Sequence, residues 1–235
     1  MLKQTLWLMM LVACAPMQAT PTPRASITTA TPAVNASGMN DQLSQAAERG
    51  DTPIVMQLLN AGAHINARDA RGRTPVMAAT HRNQVETVRA LLQAGADVNI
   101  RDHQLDNPFL YAVAEGLLEI LRLCIAARAD TQLTNRFGGT ALIPAAERGH
   151  VEIVKELLTR TDVDVNHVNN LGWTALLEAI VLSDGGVKHQ QIIQMLIYHH
   201  ANVMIADKQG VTPLEHARRR EFTAIAQILE RAGAR

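Results

Sequence analysis

Aromatic residues are scarce in this sequence. Of 235 residues only three are Phe, two Tyr and two Trp, although the apolar fraction is 47%. A core without rings has to be filled by Ala, Leu, Ile and Val, which suits closely packed small helices better than a β-sandwich. Charge of one sign is lacking as well. Lys plus Arg number 22 and Asp plus Glu 22, a balance that excludes the basic excess typical of nucleic-acid binders. Two cysteines cannot staple a disulfide-rich scaffold. There is no Gly-rich phosphate loop, no H-E-x-x-H and no G-x-S-x-G, so no motif signals catalysis or a cofactor. Charged residues at 19% with ample apolar content argue against wholesale disorder.

Long hydrophobic runs are missing too. The N-terminal apolar stretch, Leu6 to Ala13, has eight residues, far short of the ~20 that a spanning helix needs. With Lys3 ahead of it, this reads as a secretion signal over residues 1–13. Leu11-Val12-Ala13-Cys14 resembles a bacterial lipobox. The resemblance implies that Cys14 carries lipid and fixes the chain to a membrane, since several acyl chains anchor stably where one is marginal. Ala15 in place of Asp after the cysteine implies, by the same resemblance, sorting to an outer membrane, facing the periplasm. The rival reading is an unlipidated periplasmic or secreted protein. Cleavage after Ala15 would leave Pro16 first, however, and Ala19 has the bulky Met17 two residues before it. Of residues 15–38, 17 of 24 are Ala, Thr, Pro or Ser, and only Arg24 is charged. Such a segment buries too little to offset ordering entropy, so residues 14–38 read as lipid anchor and disordered tether.

A repeat of about 33 residues fills the remainder. The hexamers beginning at Thr74, Asn107, Thr140, Thr174 and Thr212 align, with spacings of 33, 33, 34 and 38. A second series trails them, as in Ala61-Gly-Ala-His-Ile-Asn66 and Ala94-Gly-Ala-Asp-Val-Asn99. Amphipathic runs at helical spacing lie between, such as Val85–Leu92 and Val151–Leu158. Thr74 and Thr212 suit helix N-caps, and Pro75 and Pro213 suit the first helical turn. Gly72, Gly138, Gly172 and Gly210 precede the caps where a tight turn needs positive φ. Together these features resemble the ankyrin repeat over residues 40 to 235. The resemblance implies an all-α solenoid of about six helix-turn-helix repeats with β-turn or hairpin fingers. The repeats run over 39–68, 69–101, 102–134, 135–168, 169–206 and 207–235. Leu105 replaces the turn glycine and Arg128 the helix-ending glycine of the third repeat, so its finger should be distorted. The fifth carries extra residues around Ser183–Lys188.

Ankyrin proteins bind other proteins through finger tips and the exposed edges of first helices, which form one concave face. Projected onto this chain, that face comprises Glu48 and Arg49; Arg71, Arg73, His81 and Arg82; and His103, Gln104, Asp106 and Glu115. It continues with Arg136, Phe137, Glu147 and Arg148; Asn170, Leu171 and Trp173; and Lys208, Gln209, Val211, Arg219 and Arg220. Nine of these are basic and four acidic, which suggests steering of an acidic partner. Trp173 stands out, because exposed Trp and Arg are enriched in binding hot spots. Asp69, Asp102 and Asp207 are set aside as turn-formers. No metal site is expected: the adjacent His199 and His200 diverge by about 100° on a helix and make poor co-ligands. Cys124 aligns with Leu91 and Leu157 as a core filler, and Tyr111 reads as packing. Within a scaffold role the resemblance leaves open immunity to a secreted toxin, help for an envelope enzyme such as a catalase, and envelope tethering.

Overall fold

The computed structural model describes residues 36–235; the expected signal, Cys14 and the tether up to residue 35 lie outside the described residues. Within them, twelve helices form six pairs. The first helices are α1 (Ala36–Arg49), α3 (Pro75–His81), α5 (Pro108–Ala114), α7 (Leu142–Glu147), α9 (Ala175–Val181) and α11 (Pro213–Arg219). The second helices are α2 (Thr52–Asn60), α4 (Val85–Gln93), α6 (Leu118–Ala126), α8 (Val151–Arg160), α10 (Val187–Tyr198) and α12 (Thr223–Arg231). Each first helix packs on the next first helix, each second on the next second, and each pair on itself. The all-α two-layer solenoid follows, with turns rather than strands as fingers among the described residues. Helix α1 begins at Ala36, so residues 36–38 are helical.

The inner first helices, α3, α5, α7 and α9, are sealed almost all round. In α3 every residue from Pro75 to Thr80 is buried. Ala46, Ala79, Ala112, Ala145, Ala179 and Ala217 are fully inaccessible, so helices approach through methyl groups and rings are unnecessary. The second helices bury one stripe only, as in α4 with Thr87, Val88 and Leu91. Cys124 is inaccessible in α6, and burial pushes its thiol up to about 12, as suits a core filler.

Caps start most first helices as the sequence suggests. Side chains of Thr74, Asn107, Thr174 and Thr212 accept from the backbone N–H three residues on, at 3.4, 2.8, 3.2 and 3.2 Å. Thr140 does not. The N–H of Ile143 goes to the Thr140 carbonyl, Pro144 has none to give, and the Thr140 hydroxyl is buried without a partner. Helix α7 is accordingly the shortest, at six residues.

Each finger is closed by one side chain. Asp69 Oδ1 accepts from Arg71 and Arg73 N–H, both at 2.9 Å, and the Asp69 N–H donates to the Arg73 carbonyl. Asp102, Asn135, Asn169 and Asp207 repeat this pattern. The turn-forming role expected of the three aspartates is the one they have. The third finger, expected to be distorted, is regular: Leu105 adopts φ 64°, next to 76° at Gly72 and 71° at Gly138. Arg128 does the same at φ 58°. Two backbone bonds to Asp102 outweigh the strain of a left-handed leucine, which is about 1–2 kcal/mol. Irregularity falls instead on α7, one repeat later.

Leu105→Gly should therefore stabilise the protein. Relief of strain exceeds the extra chain entropy of glycine by up to about 1 kcal/mol, and the leucine is 45% exposed, so little burial is lost. A rise in Tm of about 2–4 °C is expected; an unchanged or lower Tm would show that the leucine makes contacts the turn depends on.

The extra residues of the fifth repeat form the α9–α10 loop, and α10 has twelve residues where α4 and α6 have nine. Ser183 Oγ and Asp184 Oδ1 accept from Gly185 and Gly186 N–H to shape this loop.

Candidate binding face

Fingers and first helices present one row of side chains, and the structure sorts the expected residues. Arg71, Arg82, His103, Gln104, Glu115, Arg136, Phe137, Arg148, Leu171, Lys208, Gln209 and Arg219 are exposed; Arg49, Asn170 and Arg220 are too. His81, Asp106 and Glu147 are half-buried.

Three expectations need correction. Arg73 is not free: it is 8% exposed, with Nε 2.8 Å from Asp69 and Nη1 3.5 Å from Glu48. Burial would raise the Glu48 carboxyl, yet Arg73 and Arg82 hold it below its ordinary value. Trp173 is half-buried and not an exposed ring, while Val211 is buried. The most exposed apolar groups of this face are Phe137 and Leu171, at 53% and 52%, followed by Leu182 and Leu105.

Most basic side chains of the face are engaged within the chain. Besides Arg73, Arg82 meets Glu48 at 3.3 Å, Arg148 meets Glu115 at 3.0 Å, Arg136 approaches Asp106 at 4.0 Å, and Arg219 pairs with Glu215. Lys208 Nζ donates to the Asn170 carbonyl at 2.5 Å, and Arg220 to that of Ser183 at 2.8 Å. These exposed pairs add little stability and tie the side chains down, while Arg49, Arg71, Lys208 and Arg220 meet no carboxylate among the described residues.

Histidines bind the repeats together. Nε2 of His150, His167 and His189 donates to carbonyls of Ala114, Gly138 and Glu147 at 3.2, 2.7 and 3.0 Å. His81 stacks on Tyr111 with centroids 3.9 Å apart, and burial lowers its proton affinity. No three of His, Cys, Asp and Glu gather as a ligand set among the described residues, nor is any described helix long and apolar enough to cross a membrane.

Small clefts open between neighbouring fingers. One, of about 250 Å³, lies by His81, Arg71 and His103. A second, of about 220 Å³, lies by Tyr111, Arg136 and Arg148. A third, of about 170 Å³, sits between the fourth and fifth fingers, lined by Phe137, Gly139, Pro144, Glu147, Leu171, Glu178 and Leu182. At its base Glu178 is 4% exposed and accepts from Asn169 Nδ2 at 2.9 Å. Burial first, and then the charge of Glu147, push its carboxyl up to about 7. Glu178 was missed from sequence, although an acid in the helix slot held elsewhere by Ala78, Tyr111 and Pro144 was a visible signal.

Stacked helix pairs with Asx-closed fingers define a repeat scaffold that displays variable side chains on a constant frame. Comparison with known proteins agrees. The family model described as ankyrin repeats (3 copies) matches residues 43–127 and 109–207. The chain is 48% identical over 189 residues to YahD, described as an ankyrin repeat protein, of Escherichia coli strain K12, covering 80% of this chain and 94% of that one. An ankyrin repeat domain from Acinetobacter baumannii AYE superposes with TM-score 0.80 at 50% identity, covering 82% of this chain and 98% of that one. The ankyrin repeat domain of Bcl-3, of the IkappaB protein family, gives TM-score 0.75 at 26% identity, over 83% and 86%. The chain belongs to the ankyrin-repeat family.

Proposed function

We propose that the protein is a non-catalytic scaffold of a bacterial envelope, tethered by lipid at Cys14 and holding a protein partner on its finger face. The observation that carries the binding role is the pair Phe137 and Leu171. Two large apolar groups more than half exposed flank a cleft, and apolar surface left in water beside a cleft marks an interaction site. The membrane part rests on the lipobox resemblance and the Pro- and Thr-rich leash behind it. Outer-membrane attachment facing the periplasm follows from Ala15. Toxin immunity, help for an envelope enzyme and envelope tethering are separated by what the face captures.

The test is affinity capture from envelope extracts with the intact chain and with a Phe137→Ala, Leu171→Ala double variant. The double variant should retain its thermal stability and lose at least about tenfold of whatever the intact chain retains. Equal capture by both would move the binding surface elsewhere. In the same cells labelled palmitate should mark the intact chain and not Cys14→Ser; an unlabelled intact chain would remove the anchor.

A further inference from the structure

The pentapeptide Ala46-Ala47-Glu48-Arg49-Gly50 recurs as Ala145-Ala146-Glu147-Arg148-Gly149. Both copies end a first helix with the same backbone bonds. Gly50 and Asp51 donate to Ala47 and Ala46 at 3.1 and 3.0 Å; Gly149 and His150 donate to Ala146 and Ala145 at 3.4 and 3.0 Å. Their surroundings differ. Glu48 holds two guanidinium groups of the following repeat, Arg73 at 3.5 Å and Arg82 at 3.3 Å. Counted from the caps Thr74 and Thr174, the equivalent positions beside Glu147 are Trp173 and Leu182. Arg148 is turned away to Glu115, and no cation pairs with Glu147 among the described residues.

A second acid deepens the deficit. Glu178 stands where the second repeat has Ala78, and among the described residues its partner is the Asn169 amide alone. The orientation of that amide is fixed, because Asn169 Oδ1 accepts two backbone N–H groups at 3.0 Å. Both acids line the same 170 Å³ cleft, and Gly139 lines it as well, at the finger position that carries Arg73, Asp106, Trp173 and Val211 elsewhere. A cavity of about 150 Å³ holds a benzene ring, so a planar guanidinium fits.

We infer that this cleft seats an arginine side chain of the protein partner, its guanidinium between Glu147 and Glu178 and its methylenes along Phe137 and Leu171. The inference rests on the finger-face reading above. Carboxylates with no cation carry a desolvation penalty that an arriving guanidinium cancels. Its flat fork presents five donors in a fixed plane that can meet two carboxylates in parallel pairs, where an ammonium offers three donors about a point charge. Glu48 shows within the same chain that an acid at this helix position takes guanidinium groups. The partner therefore brings a cation to this point of the face, opposite to the acidic character that composition suggested.

The experiment is selection of random displayed peptides on the intact chain, followed by affinity measurement with the variants. The enriched peptides should share an arginine. Changing it to alanine, or changing Glu178→Gln in the protein, should weaken binding about 30-fold or more. Leu182→Arg is the decisive variant. It places a guanidinium where Arg82 stands relative to Glu48, and should abolish peptide binding without lowering Tm. Enriched peptides without a common arginine, or peptides bound equally by Leu182→Arg, overturn the inference. If such peptides still lose binding in the Phe137→Ala, Leu171→Ala variant, the finger-face reading stands and only the arginine seat falls. If they do not, the finger-face reading falls as well.

Discussion

Phe109→Ala should destabilise the solenoid by about 3–5 kcal/mol, the usual cost of emptying a sealed aromatic site. Phe109 is the largest fully buried side chain of the described residues. It sits in α5, which packs on α3, α6 and α7. In a solenoid each repeat is supported only by its neighbours, so the loss falls at the middle of the array. Unfolding in urea should then separate into two transitions. Circular dichroism reports all repeats, whereas Trp173, the one tryptophan among the described residues, reports the fifth. The two signals should coincide in the unaltered protein and diverge in the variant. A single shared transition, shifted by less than about 1 kcal/mol, would mean that the neighbouring helices collapse into the space.

Glu178→Gln should stabilise the protein, and only at neutral to alkaline pH. The carboxyl titrates at about 7 when folded against an ordinary 4.5. Below 4.5 it is protonated in both states and there is no penalty. As pH rises through this interval the unfolded chain ionises while the folded one keeps its proton, so stability falls. Above about 7 both are ionised and the loss levels off at about 3 kcal/mol, at about 1.4 kcal/mol per pH unit. Glutamine keeps the bond from Asn169 and removes the titration. The variant should match the unaltered protein near pH 4 and exceed it by up to about 3 kcal/mol above about pH 8. Equal stability at both ends would show that the acid already has a counter-charge. Greater stability with weaker peptide binding is the signature of a group whose strain serves a site.

The repeat register, the Thr and Asn caps and the finger aspartates were legible because each acts locally, within one turn of its own sequence position. What escaped depends on neighbours a repeat away. Arg73 reads as a finger-tip cation, and only the arrival of Glu48 from the preceding helix makes it structural. The third finger looked weak by the identity of Leu105, yet two bonds to Asp102 decide its shape. Trp173 looked like a solvent-facing ring because its finger position was visible and its packing was not. The cleft was hidden for another reason. It joins residues of two repeats, and it turns on two arginines that are absent beside a helix end repeated from the first pair.

The closing bonds that all five fingers share use only backbone donors and one Asx side chain, so the fifth finger position is free in chemistry. Arg73, Asp106, Gly139, Trp173 and Val211 occupy it under the same hydrogen bonds. Recognition is thereby uncoupled from folding. A cleft like that between the fourth and fifth repeats is portable, and exchange of a few side chains can move it to another junction while the spacing of the array is kept.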